Sequence, residues 1–600
     1  MRLAACLIVI GMSLSALAQV SNNNIQFVSG YYNVPYIIAV GDIYGKGAQQ
    51  PLGTVNDGFG LMSGTTIPGL ESLFPGRANR DTRIADLNND GFPDIISNTY
   101  SCVDPVGHPA DIARVYLNNK NGTFTEVSSP FRDQQGRPIE LRGRGETIVV
   151  ADFNNDGFLD AFLPYYTFTP QAPPGCANST QSYLLINDGT GHFTDVAVEA
   201  GVDVPNQLPN IEGAQALDFN GDGLIDLYGS AHLFINTGIA ANGHPHFVDM
   251  GRTFGLPSIL DDEGAKFIDW NNDGTLALVS HDTFHGPTAG PDLYTFNGAT
   301  FTPAPESATE GGSFGRLSLP DVSRVGLPGS FADDGPSSPL PVKLFSPASF
   351  SLLSNAFPDD GLPYDCGYGV NAYDLNNDGL DDVIVRDASY VSSTGDCAAP
   401  VIPPRIYMNQ GLGATPRFVK SPAQFNFGRV PGINACPGGA VGFGDFNNDG
   451  KIDVAFCSFF GALIATNTTA VNNANFGVEL LGPNGERNQQ GRVIKVSPMS
   501  APNVIYTRVV DGGSGYLSQN QYPLLIGSRY NENHIVSVSL PSNFVSGGTA
   551  TMSFVISPGQ KATVFAPSAA YPNGNVKIAT LPNHNHFSPA LFQAAMGSLE

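Results

Sequence analysis

The chain has little charge, and most of it is of one sign. Only 14% of its 600 residues are charged, and 29 basic side chains face 54 acidic ones, for a formal net charge of −25. Such a chain repels nucleic acid and anionic membrane and attracts cations. It also lacks long apolar runs: beyond the first eighteen residues, nothing approaches the length needed to span a bilayer. No Cys-x-x-Cys pair suggests zinc or thioredoxin-like chemistry. There is no HExxH or phosphate-binding loop, and no catalytic residues are assigned. Histidine is scarce, 10 in all. "HPH" (His244, His246) and "HDTFH" (His281, His285) have no third ligand at a useful spacing, and hydrogen-bonded or solvated imidazoles are expected there. What abounds is Gly (69) and Pro (46), which suggests many short strands and tight turns rather than helices.

The N-terminus reads "MRLAACLIVIGMSLSALAQ". One Arg, an apolar run and the small-residue pattern Ala16-Leu17-Ala18 predict a secretory signal over residues 1–18. The mature chain is then expected to be secreted, extracellular or (in a bacterium) periplasmic. Cys6 leaves with the signal, and the remaining six cysteines are Cys102, Cys176, Cys366, Cys397, Cys436 and Cys457. An even number in an oxidising compartment favours disulfides.

One nine-residue motif recurs: "DLNNDGFPD" (86–94), "DFNNDGFLD" (152–160), "DFNGDGLID" (218–226), "DLNNDGLDD" (374–382) and "DFNNDGKID" (445–453). A damaged copy, "DWNNDGTLA", spans 269–277. Eroded copies lie at 42–50 ("DIYGKGAQQ") and 321–329 ("DVSRVGLPG"), so the motif starts every 44 to 71 residues from 42 to 445. An apolar strand precedes each loop and another follows. A third strand comes next ("RVYLNN", "SYLLIN", "RIYMNQ"). A fourth is centred on Phe124, Phe193, Phe247, Phe301, Phe350 or Phe418. Four short strands per unit predict the blades of a seven- or eight-bladed β-propeller. The strand around Phe27 is expected to complete the last blade and close the ring.

The loop chemistry predicts a cation. Positions 1, 3, 5 and 9 offer side-chain oxygens and position 7 a carbonyl, a set that suits Ca²⁺ before Mg²⁺. The candidate ligands are Asp86, Asn88, Asp90, Phe92 and Asp94; Asp152, Asn154, Asp156, Phe158 and Asp160; and Asp218, Asn220, Asp222, Leu224 and Asp226. Further along they are Asp374, Asn376, Asp378, Leu380 and Asp382, then Asp445, Asn447, Asp449, Lys451 and Asp453. Asp269, Asn271, Asp273 and Thr275 form the damaged set, with Ala277 at the closing position. Five ions are expected, or six if that loop is filled. Without a cation the three carboxylates would repel one another. An EF-hand is excluded because position 12 is Ser97, Leu163, Gly229, Val385 or Phe456 rather than Glu, and because the flanks alternate as strands.

The repeats over roughly 25 to 470 resemble the FG-GAP/VCBS repeats of the integrin α-subunit propeller and its bacterial relatives. That resemblance implies a propeller over 19–472 whose calcium loops join the first two strands of each blade and are structural. Beyond about Phe476, alternating apolar residues predict a small β-sandwich, set at 473–568 with a tail over 569–600. The stretch "GGSGYLSQNQYPLLIG" (Gly512–Gly527) resembles the ASPIC/UnbV domain of cartilage-acidic-protein-like secreted proteins. The family implies a non-enzymatic, adhesion- or matrix-type module that binds extracellular protein or glycan. The competing reading is a calcium-dependent carbohydrate-active enzyme such as a polysaccharide lyase.

Strand order places all six cysteines on, or pointing toward, the face opposite the calcium loops. Proximity then favours the pairs Cys366–Cys397, Cys436–Cys457 and Cys102–Cys176. Non-reducing peptide mapping should recover these three bridges; a Cys102–Cys436 bridge would show that the blade assignment is wrong.

Overall fold

The computed structural model describes residues 27–32, 39–44, 50–55, 58–61, 65–66, 70, 79–99, 112–142, 145, 147–164, 182–203, 211, 214–256, 266–268, 276–279, 293–303, 325–326, 343–344, 367–379, 382–387, 405–412, 416–421, 441–458, 461–469, 474–510, 512, 524–528, 530–542 and 549–581. Within them the protein is all-β apart from one helical turn, Ala197–Ala200. The motif copies at 86, 152, 218, 374 and 445 each lie between the first two strands of an antiparallel sheet, as expected for loops that reverse the chain.

The 218 unit shows the pattern. Ala214–Leu217 pairs with Asp226–Gly229, which pairs with His232–Ile239, which pairs with Pro245–Asp249. Similar four-stranded sheets begin at Ala39, Asn79, Lys266 and Gly367. The sheet that begins at Val149 gains Phe131–Arg132, laid parallel to Phe193–Asp195. A short pair, Val325–Gly326 with Lys343–Leu344, lies where the unit of the eroded 321 copy is expected. The last sheet takes Val441–Gly444, Asp453–Ser458 and Gly461–Asn467 from the end of the repeats and its fourth strand, Phe27–Tyr32, from the beginning. The innermost strands from 441, 39, 79, 149, 214 and 266 stand side by side in that order, so the last unit adjoins the first. This is a β-propeller: among the described residues it has seven sheets of four or five strands and the short pair at 325, and the strand at Phe27 completes the last sheet.

Strand periodicity explains how the units adhere. Val150 packs with Ala85, Leu87 and Ile96 of the preceding blade, while its neighbour Val149 packs with Ala214 and Leu227 of the following one. Successive residues face opposite sides of a sheet, so every blade is sandwiched between two others. The fourth-strand Phe completes each interface: Phe193, Phe247 and Phe301 are all buried in cores shared with neighbouring blades. Burying one such ring stabilises by roughly 1.5–3 kcal/mol.

Beyond the ring, two four-stranded sheets enclose a separate apolar core of residues such as Phe476, Val496, Ile526, Val538 and Val564. This is the expected β-sandwich, with one correction. Its first sheet ends on Asn575–Thr580, paired with Gln560–Phe565, so part of the stretch read as a tail belongs to it. The turn before that strand contains Gly574 at φ 81°, a left-handed conformation that glycine adopts without penalty. Among the cysteines only the backbone of Cys457 is described, in the strand Asp453–Ser458; the other five, and the expected pairings, lie outside the described residues.

The closing strand should matter to the whole ring. A chain starting at residue 33 is expected to melt at a lower temperature in calorimetry than one starting at 19, because the last blade loses its fourth strand and the ring its closure. An unchanged melting temperature would show that the pairing with Gly461–Asn467 contributes nothing.

Candidate metal centres

Each loop folds around its first carboxylate. In the 86 loop the N–H of Asp90 donates to Asp86 Oδ1 at 3.0 Å and that of Gly91 to Oδ2 at 2.9 Å. The 152, 374 and 445 loops repeat both bonds, with donors Asp156 and Gly157, Asp378 and Gly379, and Asp449 and Gly450. The carboxamide at position 3 accepts from the N–H at position 5, as Asn154 does from Asp156 at 3.1 Å. Position 4 adopts the left-handed conformation in all five copies: Asn89, Asn155, Asn377 and Asn448 at φ 54–57°, and Gly221 at 74°. Asn and Gly tolerate that region best, which accounts for the residue choice there.

The closing Asp at position 9 does more than face the loop. Asp160 Oδ2 accepts the N–H of Phe153 and Oδ1 that of Asn187, both at 2.9 Å. Asp94, Asp226 and Asp453 do the same with Leu87 and Asn118, Phe219 and Asn236, and Phe446 and Asn467. Asp382 accepts from Leu375 at 3.1 Å. The Asn whose N–H donates this bond lies in the third strand, as its last residue at Asn118, Asn187 and Asn467. Its side chain donates twice: Asn187 Nδ2 reaches the Leu159 carbonyl of its own loop and the Leu87 carbonyl of the preceding one. Asn118, Asn236 and Asn467 repeat the arrangement onto Ile43, Phe153 and Leu375. Ile43 belongs to the eroded copy at 42, which therefore keeps its place in the ring. Position 4 adds a second link, from Asn89 Nδ2 to the Gly157 carbonyl at 2.8 Å and from Asn377 Nδ2 to that of Gly450 at 2.9 Å. Sequence reasoning missed both asparagines. Part of the signal was present, since "RVYLNN" and "SYLLIN" carry Asn118 and Asn187, but they were read only as strands.

The carboxylates at positions 1 and 9 are buried and crowded, while that at position 5 is exposed in the 152 and 218 loops. Burial pushes Asp94 up to about 8, with Asp86 and Asp90 adding repulsion. Asp226 is likewise pushed up to about 8, by burial foremost and then by Asp222 and Asp218. Asp152, Asp160, Asp374, Asp445 and Asp453 are raised by the same two causes. Among the described residues no three His, Cys, Asp or Glu side chains already converge on a common point. The donor set nonetheless fits a hard cation. Asp218 Oδ1 is buried with no donor in hydrogen-bonding geometry. Two loops carry a local cation: Lys451 Nζ lies 2.8 Å from Asp449 Oδ2, and Lys120 Nζ 3.3 Å from Asp90 Oδ2. Leu380 and the whole 269 set (Asp269, Asn271, Asp273, Thr275) lie outside the described residues.

Two stretches of the chain match the FG-GAP-like repeat. They are residues 86–163 and 374–456, each starting on the first Asp of one loop and ending in the strand after the next loop. No curated protein matches the chain. Solved structures with similarity include the exotype rhamnogalacturonan lyase YesX, at 12% identity and TM-score 0.39 over 74% of this chain and 73% of that one. Saccharomyces cerevisiae Sqt1 has 9% identity and TM-score 0.38 over 74% and 100%. The V. cholerae biofilm matrix protein Bap1 has 11% and 0.25 over 92% and 93%. Scores this low carry no functional argument; the FG-GAP-like repeats and the propeller stand on the loops and sheets themselves.

Asp160→Ala should cost more than an ion. It leaves the N–H groups of Phe153 and Asn187 unpaired in the interior, at about 1–3 kcal/mol each. The variant is expected to melt lower than wild type even in saturating calcium. Full recovery of the melting temperature by added calcium would show that the carboxylate serves the cation alone.

Proposed function

We propose that the protein is an exported calcium-binding propeller of the FG-GAP/VCBS, integrin-α-like kind, followed by an ASPIC/UnbV-like sandwich. In this reading it binds extracellular protein or glycan and does not transform it. The observation that carries the calcium assignment is the repeated pair of buried carboxylates at positions 1 and 9, with Asp218 Oδ1 left unpaired in the interior. Burying carboxylates is costly unless a cation or donors compensate. A divalent ion at each of the five loops would supply that compensation and fix the hairpin; it would be held by the side chains at positions 1, 3, 5 and 9 and the carbonyl at position 7. The binding role is supported by the resemblance of the repeats to adhesion-type propellers.

The pH dependence of stability tests the metal. Without cation, the native carboxylates Asp94 and Asp226 hold protons up to about 8, while in the unfolded chain they ionise near 4. The stability they contribute is full below about pH 4 and is lost as pH rises through about 8. Calcium favours the ionised form, so its stabilising effect should grow over the same interval. Melting temperatures in EDTA should therefore fall from pH 5 to 8, while those in millimolar calcium should not. Metal analysis should find about five ions per chain. Parallel melting curves with fewer than about three ions would sink the assignment. Arrays of glycans and matrix proteins, probed with and without chelator, test the binding role. Release of unsaturated sugars from a polysaccharide would instead establish the lyase reading.

A further inference from the structure

The loops at 152 and 218 are not self-contained. Residues 486–492 of the sandwich reach over both. Asn488 Nδ2 donates to the Gly157 carbonyl at 2.8 Å and approaches Asp152 Oδ2 at 3.3 Å. Arg492 Nη1 donates to the Gly223 carbonyl at 2.8 Å and Nη2 to Asn155 Oδ1 at 3.2 Å, spanning the two loops. Nearby, Thr549 Oγ1 donates to the Asp222 carbonyl at 2.8 Å, and the N–H of Asp218 donates to the Gly491 carbonyl at 3.1 Å. The Val150 N–H donates to the Gly512 carbonyl at 2.8 Å, and a Cβ on Gly512 would lie 2.0 Å from the Val150 carbonyl oxygen. The side chains of Arg492 and Asp218 are 1% and 5% exposed, with 4.0 Å between Nη1 and Oδ2.

We propose that the cation sites at 152 and 218 are composite, completed by Asn488 and Arg492, so that calcium binding and docking of the sandwich are one linked equilibrium. The proposal rests on the calcium assignment above. Two features give it its sign. Asn488 and Arg492 grip the carbonyls at position 6, which point at them only when the loop is wound around its carboxylates, the shape a central cation favours. Charge agrees: a loop of three carboxylates with a divalent ion keeps one negative charge, and the guanidinium of Arg492 lies between two such loops. At 4.0 Å it is too far from Asp218 to replace the ion, and Asp218 Oδ1 remains unpaired in the interior, free for a cation. The ions thus prepare the surface that the sandwich grips, and the sandwich shields the ions and offsets their residual charge. Linkage requires each to strengthen the other by the same factor.

The experiment uses the full chain with calcium as the probe. Hydrogen exchange is followed over 486–492 and over the sandwich strand 534–541, with calcium and with EDTA. Calcium affinities are measured in parallel by competition with a chromophoric chelator. Chelation should speed exchange across 486–492 by at least about tenfold while 534–541 stays protected, marking undocking rather than unfolding. Arg492→Gln and Asn488→Ala should each weaken two of the sites, by about five- to tenfold for the Arg variant. Gly512→Ala, which changes no charge and obstructs docking at Val150, should weaken the same two sites. That keeps the test decisive should the Arg variant fail to fold. Intact calcium binding with indifferent exchange at 486–492, or tighter calcium binding in Arg492→Gln, would overturn the proposal. Absence of calcium binding altogether would overturn the assignment beneath it as well.

Discussion

A carboxylate that accepts one N–H from its own loop and another from an Asn of the third strand recurs in four units of the ring, at Asp94, Asp160, Asp226 and Asp453. Much else depends on it. It holds the first hairpin of a blade against the third strand and presents an Asn whose amide then clasps the preceding blade. A buried acceptor with two backbone donors is a demanding arrangement, since losing it strands both donors in the interior. Repetition turns a local bracket into a circumferential one, and it reaches even the eroded first copy through Ile43.

The same loops gather charge that the fold can only tolerate with help. Backbone N–H groups supply part of it and lysines part of it in two loops, while at Asp218 an oxygen is left without a partner. The sandwich answers on one side of the ring with Asn488 and with Arg492, buried against two loops at once. The face that carries the loops is thus also the face on which the sandwich sits.

Glycines at both ends of one stretch make that seating close. Gly512 brings its backbone against Val150, and Gly527 leaves no room for a Cβ beside Asp374 and Asn377. The stretch was legible in the sequence as a likeness to a domain, yet the physical reason for its end glycines is contact with the ring.

The sequence by itself determined the unit and its repetition. Motif spacing, strand alternation and the fourth-strand Phe gave blades, their order and the closing strand at Phe27, because each depends on residues near one another in the chain. The candidate donors at positions 1, 3, 5, 7 and 9 were legible for the same reason. Only the tertiary structure decided what joins the units: the amides of Asn118, Asn187, Asn236 and Asn467, the left-handed asparagines reaching the next loop, and the strand Asn575–Thr580 that extends the sandwich. Only it, too, brought Arg492 to Asp218 and Asn155, more than 250 residues away in the chain. Such contacts bring together groups that share no local pattern, and their partners appear only when closure of the ring sets the distances between loops.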